Sequence, residues 1–98
     1  MTIDEFTQSI QTQANPSSFL PPALQALWYQ KKENWHQAHQ IVQNASDADS
    51  AWVHAYLHRQ EGDIHNAQYW YKRSGKPESK IAISQEWEQI ANELLRQI

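Results

Sequence analysis

The chain reads as an all-α protein of about six helices, and three observations predict this. Apolar residues recur at three- and four-residue spacing along most of the 98 positions. Ala, Leu and Gln are abundant and β-branched residues few, a composition that favours helix over strand. The two glycines, Gly62 and Gly75, both stand where a helical pattern stops.

Thr2-Ile3-Asp4-Glu5 forms a capping box, in which Thr2 caps the first amides and Glu5 reaches back to the Thr2 amide. Ile3, Phe6, Ile10 and Ala14 then share one helical face, so the first helix covers 1–14 and stops before Asn15-Pro16. The loop that follows holds two large apolar groups, Phe19 and Leu20, both expected to pin it to the core. Pro22 suits the first turn of the second helix, which carries Leu24, Leu27 and Trp28 as its stripe. Asn34 caps a third helix with Trp35, Ala38, Ile41 and Val42 on its face.

A fourth helix runs from Ala51, capped by Asp49 or Ser50, and carries Trp52, Val53, Tyr56 and Leu57. Gly62 suits a left-handed stop and Asp63 caps a fifth helix with Ile64, Ala67, Trp70 and Tyr71 inward. Ser74-Gly75-Lys76-Pro77 is a further stop. The last helix covers about Ser84 to Gln97, with a start as early as Glu78 open, and shows the cleanest stripe: Trp87, Ile90, Ala91, Leu94, Leu95 and Ile98.

Composition excludes several classes. No cysteine is present, which removes disulfides, thiolate catalysis and cysteine metal sites. The net charge of −3, with Lys and Arg scattered, lacks the concentrated basic field that a nucleic-acid surface needs. The acidic start lacks the pattern of a signal peptide, and no apolar run approaches a membrane span, so a cytoplasmic protein without membrane association is expected. No nucleophile elbow, phosphate loop or cofactor motif occurs, so the chain is read as non-catalytic and without a cofactor.

Sliding the sequence by 29 residues aligns Ala26 with Ala55, His36 with His65, Ala38 with Ala67 and Asn34 with Asp63. Two helical hairpins, 22–45 and 50–74, thus stand at a fixed offset. The stretch EGDIHNAQYWYKRSG resembles the second half of a tetratricopeptide repeat or its Sel1-like relative, through Gly62, Asp63, Ile64, Ala67 and Tyr71. The run from Trp52 to Asp63 is also similar to a group of small uncharacterised bacterial proteins. The offset of 29 departs from the family's usual spacing of about 34 residues. The first copy lacks the glycine, and His54 and His58 stand where the family packs a Leu and an aromatic. A pair of repeats leaves apolar ends, so 1–14 and 78–98 are expected as capping helices of one domain, 1–98.

The resemblance implies a groove lined by the first helix of each repeat. It places Trp52, Tyr56, Arg59 and Gln60 on that groove, with Lys31 from the earlier copy, facing a protein segment or a second copy of the chain. Trp, Tyr and Arg are the side chains most enriched at binding hot spots. In the competing arrangement the last helix fills the groove and Trp52 and Tyr56 are core. The alternative function rests on His54, His58 and Glu61 at i, i+4 and i+7, since an i, i+4 histidine pair is sound metal-ligand geometry on a helix. His36 and His39 are spaced i, i+3, a poorer pair expected on a solvated face.

Overall fold

The computed structural model describes all 98 residues. Six helices follow in order: α1 (Ile3–Thr12), α2 (Pro22–Lys31), α3 (Trp35–Gln43), α4 (Ala48–Gln60), α5 (Ile64–Ser74) and α6 (Ile83–Leu95). There is no strand, so the all-α expectation of about six helices holds. No helix is long and apolar enough to cross a membrane.

α4 is the central element. It packs against α2, α3, α5 and α6, and every residue from Ser50 to His58 is buried. A helix enclosed on all sides loses the polar face of an amphipathic one, so its buried polar members, Ser50, His54 and His58, need partners from within the fold. Ser50 finds one in Asp47, whose carboxylate accepts from the Ser50 amide at 3.0 Å and from its hydroxyl at 2.7 Å. That cap starts the helix at Ala48, three residues before the expected Ala51.

α2 with α3 and α4 with α5 form two antiparallel hairpins with closely matched turns. After α2 the Asn34 amide donates to Tyr29 O at 2.8 Å; after α4 the Asp63 amide donates to His58 O at 2.9 Å. Glu33 at φ 67° and Gly62 at φ 87° hold the same left-handed position 29 residues apart. Asn34 and Asp63 then cap α3 and α5 through the amides of Gln37 and Asn66.

α1 and α6 close the remaining sides. Phe6 stacks on Trp87 with centroids 5.9 Å apart, the Trp28 indole N–H donates to Ser9 Oγ at 3.0 Å, and the Trp87 indole N–H donates to Leu27 O at 3.3 Å. Lys32 Nζ donates to Ile10 O and Gln13 O, satisfying the C-terminal carbonyls of α1. Each large apolar side chain removed from water here, such as Phe6, Leu24, Leu57 or Ile90, contributes about 1.5–3 kcal/mol.

Four expectations are corrected. Residues 76–80 form no helix, so α6 starts at Ile83, beside the expected Ser84, and the earlier start near Glu78 is not taken. Phe19 is exposed, and Leu20 alone anchors its loop. Ile64, the first residue of α5, is 46% exposed, while Ala67 and Tyr71 further along the helix are buried. Ile98 lies past the end of α6 and is likewise exposed, so the α6 stripe ends at Leu95.

Candidate metal centre at three histidines

His54 and His58 lie one turn apart on the buried face of α4 that meets α3 and α5. Across from them α3 presents His39, one turn after Trp35. His54 Nε2 lies 3.1 Å from His39 Nε2, with the two rings edge to face at 83°. The His54 and His58 rings are 4.9 Å apart at 25°, and those of His39 and His58 are 5.3 Å apart. One ring nitrogen from each of the three histidines lies within 4.8 Å of the others.

Two indoles wall the cluster. Trp35 stacks on His39 with centroids 4.8 Å apart and an 8° interplanar angle, and its N–H donates to Leu57 O at 3.0 Å. Trp70 stacks on His54 at 3.8 Å and 16°. The Glu61 carboxylate lies 2.6 Å from His58 Nδ1. A carboxylate there orients the ring and leaves Nε2 as the free nitrogen, the second-sphere pattern common around metal-ligating histidines. His54 Nδ1 is buried and has no hydrogen-bond partner in the protein.

The electrostatics favour neutral imidazoles at His54 and His39, the form that binds metals. Burial first, and then the neighbouring His39 and His58, push the His54 pKa down to about 3. Burial and His58 also lower that of His39, against a smaller opposing pull from Glu61. A tetrahedral metal with Zn–N bonds near 2.0–2.1 Å sets its ligand nitrogens about 3.3 Å apart. The His39–His54 pair, at 3.1 Å, is already near that spacing, and a nitrogen of His58 lies within 4.8 Å of both.

The expected trio of His54, His58 and Glu61 does not converge as one group. His54 and His58 stand together, but Glu61 reaches only His58. The third imidazole is His39, assigned from sequence to a solvated face. The i, i+3 spacing of His36 and His39 is uninformative because the two diverge around α3: His36 is exposed while His39 turns towards α4. The available signal was Trp35 one turn before His39, since a half-buried Trp marks the side of α3 that meets α4.

The groove residues fall elsewhere. Trp52 and Tyr56 are 3% and 2% exposed, so the accessible face expected of them is not formed. The cause is α6 with the segment before it, the arrangement in which the last helix fills the groove. Lys76 Nζ sits 4.5 Å over the Trp52 ring, and burial together with the nearby Glu86 carboxylate raises the Tyr56 pKa. Arg59 is engaged internally. It donates to Glu86 Oε1 at 2.7 Å, to Ser79 Oγ at 3.4 Å and to Ile81 O, while the Tyr71 hydroxyl donates to Glu86 Oε2 at 2.6 Å. Lys31 and Gln60 remain exposed and line a polar cavity of about 490 Å³ with Gln30, Glu33 and Trp35.

No protein-family model matches this chain, and neither the curated proteins nor the solved structures give a match.

Proposed function

We propose that the chain is a small non-catalytic helical module that binds a first-row transition-metal ion through His39, His54 and His58. The observation that carries this reading is the convergence of three ring nitrogens, from two helices, within 4.8 Å of one another. Imidazole nitrogens suit zinc, copper and nickel. The Glu61 contact on His58 supplies the outer carboxylate that such sites use.

The test is calorimetric titration of the metal-stripped chain with Zn²⁺, Ni²⁺ and copper, beside His39→Gln and His54→Gln variants checked for helicity. One equivalent bound by the wild type and lost in both variants supports the reading. A folded wild type that binds none of the ions overturns it.

A second reading keeps the tetratricopeptide-like interpretation, a repeat module that binds a protein segment or a second copy of itself. The matched turns of the two hairpins support it, and its surface moves from Trp52 and Tyr56 to the cavity at Lys31 and Gln60. A partner captured by the wild type and equally by a folded Lys31→Glu/Gln60→Ala variant counts against this surface.

A further inference from the structure

We propose that the three-histidine centre prefers monovalent copper to zinc. The inference rests on the metal-binding reading above and adds the identity of the ion. Charge is the first argument. The three imidazoles are neutral ligands, and the one carboxylate nearby, Glu61, is paired with His58 Nδ1 at 2.6 Å with its side chain 39% exposed. A dication held by these ligands keeps its full charge among side chains as buried as His54 and His58, at 3% and 8% exposure. The cost of transferring an ion out of water grows with the square of its charge, so a monocation incurs about a quarter of the dication's penalty.

Coordination number is the second argument. Zinc with three protein ligands takes a water or hydroxide in the fourth position, and hydroxide is also what lowers the net charge at such centres. Here the outer faces of His39 and His54 are covered by Trp35 and Trp70, at 4.8 and 3.8 Å. The cavities of the chain lie elsewhere: one around Lys76 and Glu86, one around Gln30 and Gln60, and one around Gln68 and Lys72. None of these cavities is lined by His39, His54 or His58, so no pocket for a fourth, solvent-derived ligand is preformed beside them. Monovalent copper has a filled d shell and is satisfied by two or three nitrogen donors.

The experiment is an anaerobic competition. The metal-stripped chain is titrated into the coloured Cu(I)–bicinchoninate complex, and separately into Zn²⁺ held by a fluorescent zinc indicator. The expected result is one Cu(I) withdrawn per chain, lost in His39→Gln and in His54→Gln, with a Kd below that for Zn²⁺. Zn²⁺ bound as tightly as Cu(I), or more tightly, overturns the copper assignment and leaves the metal-binding reading standing. A folded chain that takes neither ion removes both. The two histidine variants act at different helices, and His39 is the less buried. If His54→Gln proves unstable, His39→Gln alone decides whether the captured ion sits at this centre.

Discussion

Arg59, half-buried, and the buried Glu86 form an ion pair, Nη1 to Oε1 at 2.7 Å, that ties α4 to α6 across 27 residues of sequence. Glu86 is 1% exposed, and its second oxygen accepts from the Tyr71 hydroxyl at 2.6 Å. Removing Arg59 strands the Glu86 carboxylate in a dry interior, which costs about 3–5 kcal/mol. Arg59→Met is expected to lower unfolding stability by that amount in urea titrations. The double variant Arg59→Met/Glu86→Leu is expected to recover most of the loss, because no buried charge is left uncompensated. A double variant no more stable than the single one contradicts this account.

The two hairpin turns predict opposite responses to one kind of substitution. Glu33 holds φ 67° and Gly62 holds φ 87°, both in the left-handed region that a Cβ disfavours by roughly 1–2 kcal/mol. Glu33→Gly relieves that strain, partly offset by the greater freedom of glycine when unfolded, and is expected to stabilise by about 0.5 kcal/mol. Gly62→Ala is expected to destabilise by about 1 kcal/mol. A Cβ at Gly62 meets nothing within 4 Å, so strain alone sets that cost. Thermal melts of the two variants beside the wild type read the sign directly.

The same pair marks how far the sequence could be read. Gly62 and Asp63 announce their turn openly. Glu33 occupies the equivalent position without a glycine, and only the 29-residue offset exposes the equivalence. Helix ends with side-chain caps, Thr2, Asn34 and Asp63, were legible because the capping chemistry is local. The start of α4 was not, because Asp47, Asp49 and Ser50 all have capping side chains and only the packing of Ser50 selects Asp47. His54 and His58 were legible as a pair on one helix. His39 was not, because the contact that makes it a member is tertiary. The burial of Trp52 and Tyr56 turned on where α6 docks, which no local pattern encodes.

The choice of Asp47 as the cap of α4 has a measurable consequence. Its carboxylate accepts from the Ser50 amide at 3.0 Å and from the Ser50 hydroxyl at 2.7 Å. Asp47→Ala removes both bonds and is expected to cost about 1–2 kcal/mol. Asp49→Ala is expected to cost less, since Asp49 lies within the first turn and forms no side-chain cap. Equal losses in the two variants argue against Asp47 as the cap.

His54 makes the metal-free protein sensitive to acid. An unperturbed histidine titrates at 6.5, whereas the folded His54 titrates at about 3. Between these values the unfolded chain holds a proton that the folded chain refuses, so stability rises with pH across this range. It is full above pH 6.5 and is lost as pH falls towards 3. By pH 5 the loss from this one group is about 2 kcal/mol. The groups that face His54 are His39 from α3 and His58 from α4, the latter held by Glu61. From α5, Trp70 covers the ring, with the Arg73 guanidinium 5.4 Å from that indole. His39, whose pKa is also lowered, adds to the loss in the same direction. Urea midpoints in EDTA at pH 7.5, 6 and 5 are expected to fall steeply for the wild type and more shallowly for His54→Gln, which has no proton to refuse. Parallel declines in the two chains would place the acid sensitivity elsewhere.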